Sequence, residues 1–337
     1  MHKERILDIV RVILARPTAP FHEAEVRSAI VGLLADCPRV AVEEDAFGNL
    51  IAHYRPSGLS SAPVYAFCAH MDHPGWVTPD APVAEETPAR QFLGGVPDAY
   101  LEANRERIRD FGNFAMWELP ECEVRDGRVY SRACDDLIGC AVIVATLRAL
   151  EAVNFPGECY GLFTRAEEIG FGGAIEMARD GWLRNAGITV ISLETSAERP
   201  PAKMGGGPII RVGDKQSIFD HGVTAELVAA ATEANLTAQR CLMSGGTCEA
   251  TAFRLYGIRC GAMCVALGNY HNCGPDNRIE AEYVSLDDVE GLTALCTRLV
   301  QRPGSGPESD AALRERLENK LTLYQPYHRR DRAASPS

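Results

Sequence analysis

Along most of this chain a short apolar run gives way to a turn carrying Asp, Glu, His or Gly, and then to a segment of helical period. Strands are expected near Arg39–Glu43, Leu50–Tyr54, Val64–Ala69, Glu158–Thr164, Ile188–Leu193, Pro208–Val212 and Gly261–Leu267. Helical periodicity marks Ile6–Leu14, Glu23–Leu34, Leu137–Leu150, Gly173–Arg179, Thr224–Ala234 and Val284–Val300. Strands alternating with helices fold most economically as an α/β domain, a mostly parallel mixed sheet covered by helices on both faces.

One stretch departs from this rhythm. Between Trp76 and Arg132 the chain is rich in Pro, Gly and charge, and CEVRDGRVYSRA reads as two short strands about the Asp126-Gly127 turn. Residues 76–131 are therefore expected to form a small β-rich inserted domain. It would interrupt a catalytic domain made of 1–75 and 132–301. The remainder, 302–337, contains a helical piece at Asp310–Leu323 and a polar end, RRDRAASPS, whose composition is that of a disordered tail. The chain has no internal repeat.

Bulk properties narrow the function. A net charge of −12 excludes the clustered basic face that nucleic acid requires; the basic run His328–Arg332 reads as a solvated tail. No apolar run approaches the roughly 20 residues of a membrane span, and Asp8 and Arg11 interrupt the N-terminal apolar segment, so a soluble cytoplasmic protein is expected. Twelve cysteines occur without a CxxC pair, many inside apolar runs, where a thiol behaves as a small hydrophobe.

Five segments gather His, Asp and Glu where a strand hands over to a loop or helix, the edge at which open α/β sheets build their sites. In AHMDHPG, His70 and Asp72 are two apart in extended chain and face one way, so Asp72 can hold the ring nitrogen of His70 that is not on a metal. His73 is a competing ligand. In ACDDLIGC, Asp136 suits a helix cap and Asp135 can bridge two cations. In TRAEEIG, one of Glu167 and Glu168 can bind metal while its neighbour serves as general base. Glu194 closes an apolar strand, and His271 follows the last one. Alone, each has an ordinary structural explanation. Together they supply one His and one acid per metal plus a shared Asp. Such O/N ligation suits Zn²⁺, with Co²⁺ or Mn²⁺ as alternatives, and ions ~3.5–4 Å apart favour amide hydrolysis.

The order His-x-Asp, Asp-Asp, Glu-Glu, acid, His resembles the co-catalytic zinc peptidases. Within them, AHMDHPGW, CDDLIGC, TRAEEIGFGGA, GGGPII, SGGTCEATAF and NYHNCG resemble the tetrahedral (TET-type) glutamyl/leucyl metalloaminopeptidases over about residues 1–300. The resemblance implies metal ligands His70, Asp135 (bridging), Glu168, Glu194 and His271. It also implies Glu167 as general base, Asp72 as the residue orienting His70, a metal-held hydroxide, a peptide or small amide substrate, and a homo-oligomer. Several positions depart from the family pattern. Glu194 stands where the family usually has Asp, Leu137 where it has Arg, and Cys248 where it has Asp; Asn269-Tyr270-His271 replaces Arg-Tyr-x-His. The inserted segment is also shorter than is usual. An aminopeptidase is the leading expectation. An N-acyl amino acid deacylase or carboxypeptidase-like amidohydrolase is the second, and a non-catalytic binding or assembly relative the third.

Overall fold

The computed structural model describes residues 3–55, 63–79, 90–302 and 310–327; the polar end RRDRAASPS and the basic run His328–Arg332 lie outside them. In chain order the elements are α1 (Lys3–Leu14), α2 (Ala24–Leu34), β1 (Val40–Glu44), β2 (Leu50–Tyr54), β3 (Tyr65–His70), β4 (Gly75–Val77) and β5 (Gln91–Leu93). There follow α3 (Asp98–Ala103), β6 (Ile108–Asp110), β7 (Phe114–Trp117), β8 (Glu123–Arg125), β9 (Arg128–Ser131), α4 (Leu137–Ala152) and β10 (Cys159–Thr164). Next come α5 (Gly172–Asp180), α6 (Trp182–Asn185), β11 (Thr189–Ala197), β12 (Ile209–Gly213), α7 (His221–Glu233), β13 (Gln239–Leu242) and α8 (Glu249–Leu255). The chain closes with β14 (Cys260–Gly268), β15 (Glu282–Ser285), α9 (Leu286–Gln301) and α10 (Asp310–Leu323).

The large sheet has the order β1-β2-β10-β3-β11-β14-β15-β9-β8, with β12 between β14 and β13. Its centre, β10, β3, β11 and β14, is parallel, and antiparallel strands extend it on both sides. Period-2 alternation divides the apolar side chains between two cores. Phe67, Phe163, Ile191, Leu193, Met263 and Val265 face α1, α2, α4, α7 and α9. Ala66, Cys68, Leu162, Val190 and Ala262 face α5, α6 and α8.

Helix α4 is apolar nearly all round because it lies between the sheet and the outer helices α1 and α9. Asp136 caps it, its carboxylate accepting from Gly139 N at 3.1 Å, and that carboxylate occupies the space a side chain at Gly139 would need. The helix ends at Ala152, and two residues on Asn154 turns the chain away in the left-handed conformation (φ 47°) that Asn tolerates.

A second sheet, β5-β4-β7-β6, is antiparallel and packs Trp76, Phe92 and Trp117 edge to face. The β8–β9 hairpin, which the sequence reading groups with 76–131, hydrogen-bonds instead to β15 at the end of the large sheet. Beyond the inserted segment, α6, β13, α8 and β15 were not expected, and within it neither was α3. The expected helix from Val284 begins only at Leu286, because Ser285 ends β15 and caps α9 by accepting from Asp288 N. Helix α10 matches its expected span, and its described side chains are exposed. No helix among the described residues is long and apolar enough to cross a membrane.

Candidate metal centre

The five segments converge at one end of the parallel strands. His70 is the last residue of β3, Asp135 lies at the entrance to α4, and Glu167 and Glu168 follow β10. Glu194 lies within β11, which continues to Ala197 rather than ending at Leu193, and His271 lies just beyond β14. The turns that deliver them are backbone-strained. Ala166 (φ 53°), Asn269 (φ 53°), His271 (φ 54°) and Asn272 (φ 61°) all take the left-handed region that non-glycine residues avoid. Such strain concentrates at functional sites, where surrounding packing over-determines the conformation.

Asp135 occupies the middle. Its Oδ1 stands 3.6 Å from His70 Nε2 and its Oδ2 stands 3.7 Å from His271 Nε2, so one carboxylate faces two imidazoles. Thr195 Oγ1 donates to Asp135 Oδ1 at 2.9 Å, which fixes the carboxylate plane. Glu168 Oε2 is 3.2 Å from His271 Nε2, and Glu167 Oε2 is 3.9 Å from His70 Nε2. Glu194 accepts from Ser192 Oγ at 2.7 Å. Ligand atoms of His70, Glu167 and Glu194 lie within 4.8 Å of one another, as do those of His70, Asp135 and Glu168. Glu167, expected as a base, thus shares a cluster of potential ligand atoms with His70 and Glu194.

Both imidazoles have one nitrogen engaged. His70 Nδ1 faces the carbonyl oxygen of Asp72 at 3.1 Å, and His271 Nδ1 faces that of Gly95 at 3.2 Å. With Nδ1 protonated in each, both Nε2 lone pairs point to the centre. Asp72 thereby holds His70 through its main chain, its carboxylate being 3.5 Å from Nδ1. That carboxylate accepts instead from Glu167 N (3.0 Å) and Glu168 N (3.2 Å). His73 has both ring nitrogens occupied, facing Asp135 O at 2.8 Å and Asn272 Oδ1 at 3.0 Å.

The electrostatics call for positive charge. Burial pushes the Glu167 carboxyl well above its usual range and Glu194 to about 7. For His271, burial acts downward but is outweighed, chiefly by Glu168, and the imidazole rises to about 9. His70 is raised in the same way, burial being overcome first by Glu167. Buried acids and imidazoles are stabilising one another's charges, a role divalent cations perform more fully. One buried oxygen, Glu168 Oε1, has no hydrogen-bond partner, and such an orphan is costly unless a cation takes it. The donor set, two imidazoles with three to four carboxylates, suits borderline divalent ions. These residues fit a pair of metal ions.

Beside the cluster is a cavity of about 90 Å³, walled by Glu194, Arg199, Arg211, Met243, Thr247 and Tyr270 among others. Arg211 is almost fully buried there, with Nη1 donating to Ser196 Oγ at 3.2 Å. Tyr270 stacks on His271 with ring centroids 3.8 Å apart. The departures seen in the sequence fall at separate places: Leu137 is buried in α4, whereas Cys248 is buried with its N–H donating to Asp214 Oδ2. Sequence reasoning missed Ser192, Thr195, Arg211 and Glu282. Ser192 carried a readable signal, a polar side chain inside a strand that is otherwise apolar there; Glu282, first in a short strand among charged neighbours, carried none.

About nine-tenths of the chain resembles known proteins. Among solved structures, the TET1 peptidase of Pyrococcus horikoshii superposes with a TM-score of 0.71 at 20% identity, covering 88% of this chain and 100% of that one. An aminopeptidase of the archaeon Desulfurococcus kamchatkensis superposes with a TM-score of 0.70 at 18% identity, covering 90% and 96%. A curated relative from Acetivibrio thermocellus, whose name gives aminopeptidase activity as inferred, is 23% identical over 351 residues, 89% of this chain and 100% of that one. Residues 98–295, more than half of the chain and including four of the five expected ligands, match the model of one family. The chain belongs to the M42 glutamyl aminopeptidase family.

Proposed function

We propose that this protein is a two-metal aminopeptidase that removes N-terminal residues from peptides. The observation that carries the reading is Asp135, with one carboxylate oxygen near each of two imidazoles. In this reading His70, Asp135 and Glu194 hold one ion, and Asp135, Glu168 and His271 hold the other. Zn²⁺ is the first candidate, and Co²⁺ or Mn²⁺ could replace it. Bound there, the ions would polarise the scissile carbonyl and acidify a water molecule.

The protein's own groups supply the remainder. Glu167 takes the proton from the attacking water and returns it to the departing amine; a carboxyl raised by burial is suited to both transfers. Asp72 sets its position by accepting its backbone N–H. The fixed carbonyls of Asp72 and Gly95 keep both imidazoles in the ligating tautomer. Twelve cysteines, none of them paired, fit a reducing compartment, which favours the cytoplasm. Because the P. horikoshii relative can assemble into a tetrahedron or an octahedral shell, a homo-oligomer is also part of the proposal.

The test is a peptide library, half with free and half with acetylated N-termini, incubated with Zn²⁺- or Co²⁺-loaded protein and read by mass spectrometry. Loss of single residues from free N-termini alone is expected. Release of acetyl groups or of C-terminal residues would replace the aminopeptidase with a deacylase or carboxypeptidase.

A further inference from the structure

Glu282 is a fully buried carboxylate that the mechanism above does not use, and it is the first residue of β15. Its two oxygens point in different directions. Oε2 accepts from Cys134 N at 2.7 Å and from Asp135 N at 3.0 Å; Oε1 accepts from His271 N at 2.8 Å. The topology explains how one side chain reaches both. Strand β15 lies between β9, whose exit leads to Asp135, and β14, whose exit leads to His271. Register pairs Glu282 with Ser131 and its neighbour Tyr283 with Gly268, so Glu282 stands where the two departing loops meet.

Both loops need such a partner. His271 and the following Asn272 are left-handed, and the N–H of a buried turn residue cannot be left without an acceptor. Asp135 N lies ahead of the first turn of α4, where no intrahelical acceptor is available. A carboxylate satisfies these donors with charge-assisted bonds, which are shorter and stronger than those to a neutral acceptor. Its negative charge also lies close to where the cations would be.

We propose that Glu282 is a positioning residue of the metal centre, holding the shared carboxylate Asp135 and the imidazole His271 in register through their backbone N–H groups. This rests on the two-metal reading above. Asp72 does the same for Glu167 and Glu168. Two buried carboxylates thus set the backbone of four of the six residues that would bind metal or move the proton. The role is distinct from that of an ordinary structural acid, because its loss displaces two ligands without removing either.

Isothermal titration of Zn²⁺ into metal-free protein tests this, comparing wild type, Glu282→Gln and Glu226→Gln. The glutamine keeps the volume but sets an NH2 group against backbone donors. Wild type is expected to take two ions, and Glu282→Gln to weaken the site containing His271 by about 10–100-fold. Glu226 is a control: it is buried on α7 and bonds Tyr65 and Arg259, away from the cluster. Its variant is expected to lose thermal stability with both binding constants unchanged. If Glu282→Gln does not fold, Glu282→Asp, charged but one methylene short, is expected to show the same weakening. Either Glu282 variant binding both ions as wild type does would overturn the inference alone. A wild-type protein that takes up no Zn²⁺ would overturn the two-metal reading, and the inference with it.

Discussion

The two sheets are packed differently and play unequal parts at the site. The large sheet supplies every candidate ligand. All but Asp135 come from at or near the ends of β3, β10, β11 and β14, strands with apolar layers above and below, and Asp135 comes from the exit of the more exposed β9. The small sheet is held by one aromatic cluster, Trp76, Phe92 and Trp117 with Leu119 and Ile279. It reaches the metal centre through the carbonyl of Gly95, two residues beyond β5, on His271 Nδ1. The contrast separates two tasks. Ligands that must stay within a fraction of an ångström are anchored where packing is dense, and a more exposed element makes a single adjustable contact.

Three experiments can break or sharpen this contrast. The largest effect belongs to the large sheet's edge: Glu167→Gln is expected to lower kcat by about 10²–10⁴-fold, with both metals retained by elemental analysis. Substantial residual turnover would remove Glu167 from the proton path. Next comes the independence of the sheets. Phe163→Ala, buried near the end of β10, is expected to cost about 3–5 kcal/mol in denaturant melts and to shift the main unfolding transition. Trp117→Ala, in β7, is expected to loosen the small sheet first, seen as faster hydrogen exchange over β4–β7 with a smaller shift of that transition. Equal shifts would mean that the two sheets unfold as one unit. The smallest effect tests the single contact. A methyl group at Gly95 would stand 3.2 Å from His271 Cε1 and 3.3 Å from Nδ1, so the ring has to yield by a few tenths of an ångström. Gly95→Ala is expected to weaken metal binding a few-fold, with thermal stability within about 0.5 kcal/mol of wild type.

Much of the catalytic sheet was legible because its signals are local. Apolar runs of strand length, followed by periodic segments, locate β3, β10, β11, β14 and α4 to within a few residues, and the acids and histidines stand at their ends. Partners far apart in sequence were not legible. CEVRDGRVYSRA reads correctly as a hairpin, yet nothing within it says that β9 pairs with β15 more than a hundred residues later. The charged surroundings of Glu282, in RIEAEYVS, conceal a strand whose first side chain is fully buried. Asp72 illustrates the same limit on a smaller scale. Spacing predicts that its side chain meets His70, whereas the chain turns after β3, presents its carbonyl to the ring and sends the carboxylate to Glu167 and Glu168. Alternation in an extended strand no longer applies one residue past its end.

The spread of the site along the chain bears on how the protein is made. His70 ends an early strand, whereas His271 and Glu282 belong to the last part of the sheet, and Asp135 faces both imidazoles. During synthesis, a ribosome-bound chain that has emerged only as far as β11 carries a half-site of scattered acids and one imidazole. On the two-metal proposal, tight uptake of a pair of ions would have to wait for β14 and β15 to join. Metal occupancy would then report completion: a chain truncated or misfolded before its last strands would not hold the ions, and so would not cleave its neighbours.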